Sequence, residues 1–154
     1  MWLSKLRAGI YRNYTKIFPW FCRTFYGMTI GKGTIISRRT ILDWNVNPKG
    51  VHIGDYTLVA GATILTHDFC RSLKADVHIG SDCFIAGACI LPGVTIGNHC
   101  IVGIASVVTK DVPDNCMVAG NPARIIKENI KTGHYGVLIQ DNKEADKKNE
   151  HPDV

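Results

Sequence analysis

The sequence predicts an all-β protein, a parallel β-helix in which short strands wind into stacked three-sided coils. The main observation is an internal repeat: HIGDYTLVAGATILTH (52–67) and HIGSDCFIAGACILPG (78–93) coincide at eight of sixteen positions. A third copy at 96–110 and a poorer one at 30–44 extend the series. Aliphatic residues recur about every six positions, a period that neither a helix nor a hairpin has.

Each side of a coil is expected to bury one aliphatic residue, while Gly, Asn and Asp take the turns. Successive coils then stack at a sheet spacing of about 4.8 Å. The predicted inward residues are Ile30, Ile36, Leu42, Ile53, Val59, Leu65, Ile79, Ile85, Leu91, Ile96, Val102 and Val108.

Length and composition suit one soluble globular domain of 154 residues, 45% hydrophobic and 20% charged. No apolar run reaches the roughly 18 residues that a bilayer span needs. Basic residues interrupt the apolar N-terminal segment, so this segment is not predicted to be a secretory signal. A cytoplasmic location is therefore expected. The net charge of +5 suits a polyanionic nucleotide cofactor. The basic residues are scattered along the sequence and no nucleic-acid-recognition motif accompanies them, which argues against nucleic-acid binding.

Six cysteines occur without a C-x-x-C pair, which makes a disulfide framework or a zinc site unexpected. Cys83 and Cys100 fall at the same position of successive coils. They are expected to stack as small core residues with reduced thiols.

The repeated [Ile/Leu/Val]-Gly-x4 pattern is accompanied by LTHD (65–68), LPGVTIG (91–97), SVVTKDVP (106–113) and VAGNPARIIK (118–127). Together these segments resemble the hexapeptide-repeat acyltransferases, closest to the maltose, galactoside and polysaccharide O-acetyltransferase branch. The resemblance implies a left-handed parallel β-helix, a homotrimer with active sites between subunits, and acetyl-CoA as acyl donor without a metal. These coils repeat every 17 residues where the family ideal is 18, so one corner of each coil must be tighter.

The resemblance assigns the general base to His67 of LTHD, which would take the proton of an acceptor hydroxyl as it attacks the thioester. Asp43 should lie one coil spacing from Thr66, close enough to orient His67 or to bind the acceptor. Nine extra residues around 68–77 predict a projecting loop directly after the base. Asp68 and Arg71 on this loop are further candidates for acceptor binding.

The resemblance also implies a CoA groove. Backbone N–H groups near Gly87 are candidates for holding the thioester oxyanion. Ile104 replaces the small residue usual at its position and is expected to alter contact with the CoA arm. The predicted CoA-binding residues are Gly87, Ala105, Thr109, Lys110, Asn121 and Arg124.

Both ends differ from the repeat region, which gives three segments: an N-terminal basic aromatic helix at 1–27, the β-helix at 28–127, and a C-terminal helical or disordered extension at 128–154. Apolar residues at helical spacing predict a first helix that Pro19 kinks or ends. This helix would cap the open end of the coils. An interfacial membrane helix at the inner face of the membrane is the alternative, and it would place the enzyme beside lipid-linked sugar. The spaced apolar residues are Leu3, Leu6, Ile10, Tyr14, Ile17 and Phe21.

Alternative acceptors and alternative functions stay open. The acceptor is expected to be a sugar or polysaccharide-precursor hydroxyl, with an aminosugar amine as the alternative. A non-catalytic binding protein with the same coils is a second alternative. A metal-dependent hydratase resembling γ-type carbonic anhydrase is disfavoured because the chain has no His-x4-His pair. His52 and His78 occupy equal coil positions and are expected to stack at the surface.

Overall fold

The computed structural model describes residues 14–15 and 17–139 and shows a parallel β-helix preceded by a helix. Three parallel sheets form its sides, an antiparallel strand extends the edge of one of them, and two further strands form a separate hairpin. This architecture confirms the fold class predicted from the repeat.

The strands are short because a coil without an insertion turns three corners in only 16 to 18 residues. Their bounds are β1 Thr29–Ile30, β2 Ile35–Ile36, β3 Val51–Ile53, β4 Leu58–Val59, β5 Thr63–Ile64, β6 His67–Asp68, β7 Leu73–Lys74, β8 Val77–Ile79, β9 Phe84–Ile85, β10 Cys89–Ile90, β11 Thr95–Ile96, β12 Ile101–Val102, β13 Val107–Val108, β14 Met117–Ala119 and β15 Arg124–Lys127. The three parallel sheets have the strand orders β1-β3-β8-β11, β2-β4-β9-β12-β14 and β5-β10-β13. The antiparallel β15 pairs with β14 at the edge of the second sheet, and β6 pairs with β7 in the hairpin. Single-turn 3-10 helices lie at Pro48–Gly50 and His134–Gly136.

The third side of two coils differs from the predicted core. Ile64 and Ile90 pair in register there and are fully buried, whereas the predicted Leu65 and Leu91 are only partly buried. The physical reason is the tightened corner between β9 and β10. Ile90 follows Ile85 by five positions in the sequence, whereas the ideal repeat spaces inward residues six positions apart. The same shortening occurs between β4 and β5. A one-residue shortening moves the inward position to the preceding residue.

Small side chains line the corner between the first and second sheets. Cys83 and Cys100 are both fully buried and stack, with the Cys100 N–H donating to Cys83 Sγ at 3.4 Å. The Cys83 thiol also lies 3.1 Å from the Gly97 carbonyl of the next coil. The predicted stacking is therefore confirmed, and all six cysteines are free thiols.

The N-terminal helix covers residues 14–15 and 17–26 and packs against the first coil. Pro19 is predicted to kink or end this helix; the helix continues past Pro19 to residue 26, so it does not end there. Cys22 is fully buried, and Pro19 is buried beside it. This packing compensates for the N–H that proline lacks. The predicted apolar positions Leu3, Leu6 and Ile10 lie outside the described residues.

The C-terminal extension begins with a segment that crosses the coils. Ile130 is 3% exposed, and the Tyr135 N–H donates to the Tyr56 carbonyl at 2.8 Å. His134 stacks on Tyr56 and pairs with Asp82 at 2.6 Å. These contacts hold the 3-10 turn against the side of the coils. Residues 140–154, where disorder is predicted, lie outside the described residues.

Candidate active site

The proposed base is held by a buried carboxylate from the preceding coil. Asp43 Oδ2 accepts a hydrogen bond from His67 Nδ1 and another from the Thr66 hydroxyl at 2.7 Å. The Val46 N–H donates to Asp43 Oδ1 at 3.2 Å. A proton kept on Nδ1 leaves Nε2 as the basic nitrogen. Within the described part of the chain, Nε2 has no hydrogen-bond partner.

Asp43 is a pure acceptor surrounded by donors, although it is only 6% exposed. Burial raises the pKa of Asp43, but hydrogen bonds from His67, Thr66 and Val46 outweigh burial and lower the pKa from 3.8 to about 2. The carboxylate therefore stays charged throughout the physiological pH range. The expected position of Asp43 beside Thr66 is confirmed.

This depressed pKa predicts how acid affects stability. Because the folded pKa lies below the unfolded pKa, the Asp43 carboxylate stabilises the protein above about pH 4 and loses this effect as pH falls toward about 2. Asp43→Asn should cost on the order of 2 kcal/mol of unfolding free energy at pH 7. Urea unfolding at a series of pH values should show the difference from wild type shrinking below pH ~4. A difference independent of pH would contradict this account.

A cleft of about 410 Å³ opens beside His67. It lies between the end of the first coil and the projecting hairpin, and Phe69 meets the His67 ring edge to face with centroids 4.6 Å apart. Most of its lining is apolar, which favours a ligand with exposed carbon surface. The lining residues are Ile41, Leu42, Asp43, Trp44, Asn45, Val46, Leu65, His67 and Phe69.

The predicted projecting loop is present as the hairpin β6–β7 and the turn between its strands. Asp68 and Arg71 form an ion pair on it, with Arg71 Nε 2.6 Å from Asp68 Oδ2. The hydrogen bond from Arg71 holds the pKa of Asp68 below 3.8. Neither residue lines the cleft, and their pairing shapes the hairpin next to it.

The residues predicted to bind CoA lie on the later coils. The Ala105 N–H donates to the Gly87 carbonyl at 2.8 Å, which places these two residues on neighbouring coils at one corner. Ile104 is 79% exposed beside Gly87. None of the six predicted CoA residues lines the cleft beside His67. The exposed ones among them are Ala105, Thr109, Lys110, Asn121 and Arg124.

A turn at 120–122 ends the parallel coils. Gly120 has φ +100°, a conformation that glycine adopts readily, and the Asn121–Pro122 peptide bond is cis. The chain then reverses into β15, which runs antiparallel to β14. Arg124 therefore begins the edge strand rather than another coil.

His52 and His78 pair in register on the first sheet and stack with ring centroids 4.4 Å apart, as predicted. With Asp76 they place one ligand atom each within 4.8 Å. The rings are parallel within 5°, so their nitrogen lone pairs point side by side rather than toward one ion. We therefore assign no metal to this group, and the expectation that the reaction needs none stays a prediction.

Sequence reasoning did not predict the apolar cleft. Ile41, Val46 and Phe69 had no assigned role. Breaks in the repeat spacing nevertheless mark both segments that enclose the cleft. The spacing from Ile30 to Ile53 is 23 residues rather than 17, which indicates an insertion around 44–49. That insertion and the projecting hairpin form the cleft walls.

Two curated proteins are similar to this chain over most of its length. The Bacillus subtilis (strain 168) protein YvoF, which carries a provisional acetyltransferase name, is 38% identical over 125 residues, covering 79% of this chain and 72% of YvoF. Galactoside O-acetyltransferase from Escherichia coli (strain K12) is 33% identical over 120 residues, covering 68% of this chain. The match spans only 59% of that enzyme's length. No protein-family model matches the chain.

Solved structures share the fold. A hexapeptide-repeat-containing acetyltransferase from Vibrio cholerae, VCA0836, superimposes with a TM-score of 0.59 at 23% identity, covering 76% of this chain and 82% of that one. A galactoside acetyltransferase in complex with coenzyme A superimposes with a TM-score of 0.50 at 31% identity, covering 65% of this chain and 54% of that one.

Proposed function

Because this chain belongs to the hexapeptide-repeat acetyltransferases, we propose that it is an acetyl-CoA-dependent O-acetyltransferase acting on a sugar hydroxyl. The observation that carries the proposal is the hydrogen bond from His67 Nδ1 to the buried Asp43 carboxylate, made by a histidine that lines an open cleft. Arrangements of this kind hold an imidazole as a base rather than as a surface side chain.

In the proposed reaction His67 Nε2 removes the proton of the acceptor hydroxyl as its oxygen attacks the thioester carbonyl of acetyl-CoA. The carbonyl carbon forms a new C–O bond and then breaks its C–S bond, and the CoA sulfur leaves with the proton that His67 took. No acyl-enzyme intermediate is needed. The negative charge of Asp43 stabilises the imidazolium that forms in between.

Asp43 is proposed as a positioning residue for His67 rather than as a direct acceptor ligand. Its oxygens already accept from His67, Thr66 and Val46. A substrate hydroxyl would have to replace one of these bonds. Asp68 and Arg71 remain proposed acceptor-binding residues at the hairpin beside the cleft.

The apolar cleft suits the carbon face of a sugar ring. Trp44 and Phe69 offer aromatic surfaces on its lining, against which the C–H groups of a pyranose pack while its hydroxyls point elsewhere. Such packing would hold one hydroxyl at His67 by shape rather than by many polar contacts.

The proposed CoA groove lies on coils outside the cleft of the same chain. We propose a homotrimer in which the cofactor is held at a junction between subunits. The residues proposed to hold it are Gly87, Ala105, Thr109, Lys110, Asn121 and Arg124. A closed ring of three identical contacts would make three equal sites. The mass in solution tests this arrangement: light scattering at micromolar concentration should give three times 17.0 kDa.

The test of the function is release of free CoA thiol from acetyl-CoA in the presence of a panel of sugars, sugar nucleotides and aminosugars. Acceptor-dependent release with an ester product supports the proposal. An amide product would replace it with N-acetylation. Measurable CoA binding without release on any acceptor, under conditions where a galactoside acetyltransferase works, would favour a non-catalytic binding protein.

Lys110 gives a separate prediction about the cofactor. This exposed cation follows β13, and we expect it to meet a CoA phosphate. Lys110→Ala should weaken CoA binding about tenfold, in line with the loss of one charge-assisted contact. Isothermal titration with CoA measures the effect. Lys131→Ala, in the C-terminal segment, is the matched control and should bind as wild type does; equal affinity for all three proteins would remove Lys110 from the site.

A further inference from the structure

The N-terminal helix has apolar residues on both of its faces. The inner face packs Phe18, Pro19, Cys22 and Tyr26 against the first coil. The outer face exposes Arg23 and Thr24 together with four large apolar residues. These are Ile17 (59% exposed), Trp20 (55%), Phe21 (38%) and Phe25 (65%). So many large apolar side chains exposed on one short helix are normally covered by a partner.

The aromatic residues of the outer face form one patch. The Trp20 and Phe25 rings meet edge to face with centroids 6.0 Å apart, and Phe21 and Phe25 lie 5.0 Å apart. We call Ile17, Trp20, Phe21 and Phe25 the outer aromatic patch. Contiguous apolar surface of this kind marks a docking site.

The charged residues in the first 42 positions of the sequence all have one sign. Residues 1–42 contain eight Lys and Arg and no Asp or Glu, whereas residues 43–154 contain ten basic and thirteen acidic residues, a net charge of −3. Arg23, Arg38 and Arg39 are exposed and form no ion pair with any residue that the structure describes. The part of the sequence that carries the patch therefore has an excess of positive charge, and no acidic residue within 1–42 offsets it.

We propose that the outer aromatic patch docks this protein on an anionic membrane surface. Trp and Phe favour the interface between headgroups and acyl chains, and Lys and Arg are attracted to anionic lipids. The contact is peripheral: no helix among the described residues is long and apolar enough to cross a bilayer.

The docked helix is tied directly to the cleft. Trp44, which lines the cleft, meets Tyr26 with ring centroids 4.7 Å apart and Phe18 with centroids 6.0 Å apart. Docking would therefore hold the cleft close to the lipid headgroups. If the proposed transferase function is correct, the acceptor class that this placement favours is a sugar carried on a lipid.

The experiment is co-sedimentation of the full chain with vesicles of phosphatidylcholine containing about 30% phosphatidylglycerol, compared with pure phosphatidylcholine. Wild type should bind the anionic vesicles, and raising salt from about 0.1 to 0.5 M should weaken the binding because it screens the charges. Trp20→Ala/Phe25→Ala should lower the partition coefficient at least about tenfold. Val137→Ala/Ile139→Ala, which truncates two residues exposed by 64% and 56% on the C-terminal segment, is the matched control and should bind as wild type does.

Three outcomes would overturn the proposal: no binding by wild type, equal binding by the Trp20/Phe25 variant, or equal binding to both kinds of vesicle. A change of solution mass in the Trp20/Phe25 variant, together with undiminished vesicle binding, would show that the patch contacts a second copy of the chain instead. Vesicle binding needs no turnover, so failure here leaves the transferase assay untouched, and failure of that assay leaves the membrane contact untouched.

Discussion

His67→Ala should lower acceptor-dependent release of CoA thiol by at least about a hundredfold, the usual scale for loss of a general base. The physical reason is that, among the described residues that line the cleft, only His67 and Asp43 can accept a proton. Asp43 is buried, and its oxygens already accept hydrogen bonds from neighbouring residues. Binding of acetyl-CoA should change little, because the predicted CoA residues lie on other coils. The loss should therefore appear in kcat.

Two further variants separate a lost base from a damaged fold. His78→Ala removes an exposed imidazole from the first sheet, away from the cleft, and should keep wild-type activity. Asp43→Asn keeps the imidazole but weakens its orientation, and should lower kcat by about tenfold to a hundredfold. Unchanged turnover in His67→Ala would refute the assignment of the base.

Gly80→Ala should be among the most destabilising single substitutions in the β-helix, costing about 3 kcal/mol or preventing folding. A Cβ at this position would lie 2.6 Å from the Gly97 carbonyl carbon and oxygen and 2.7 Å from the Asn98 nitrogen of the next coil. Backbone atoms of a stacked coil cannot move aside as a side chain can. The coils would have to separate locally and stretch their hydrogen bonds.

Gly133→Ala is the matched control, because a Cβ there would meet nothing within 4 Å. Urea unfolding of both variants measures the difference, and the control should unfold within about 0.5 kcal/mol of wild type. A Gly80→Ala protein as stable as the control would mean that the coils tolerate wider spacing than the structure has.

The same close approach explains why the repeat could be recognised from the sequence. Gly31, Gly54, Gly80 and Gly97 each stand at one corner where the next coil lies too near for a Cβ. The motif Ile-Gly therefore reports a contact repeated in every coil. Because each glycine contacts the next copy of the repeat, the spacing of the glycines along the sequence matches the stacking of the coils.

The path of the chain between repeats could not be predicted in this way. Asp43 reaches His67 across 24 residues because the 44–50 segment leaves the coil and returns, and no periodic contact governs that segment. Proximity of Asp43 to Thr66 followed from stacking. The hydrogen-bond partners of the Asp43 carboxylate depended on its burial and on the Val46 N–H, which the 44–50 segment supplies.

The sequence by itself determined the three-sided coils, the stacking of Cys83 on Cys100 and the candidate base, because each rests on a motif or on a contact repeated at a constant interval. Only the tertiary structure decided that Ile64 and Ile90, not their leucine neighbours, enter the core, that Pro19 lies inside a helix, and that an apolar cleft adjoins His67. The core positions of Ile64 and Ile90 depend on which corner of the coil is shortened, and the other two features depend on packing contacts that occur once in the molecule. A periodic pattern carries no information about such contacts, because it averages over the positions where they arise.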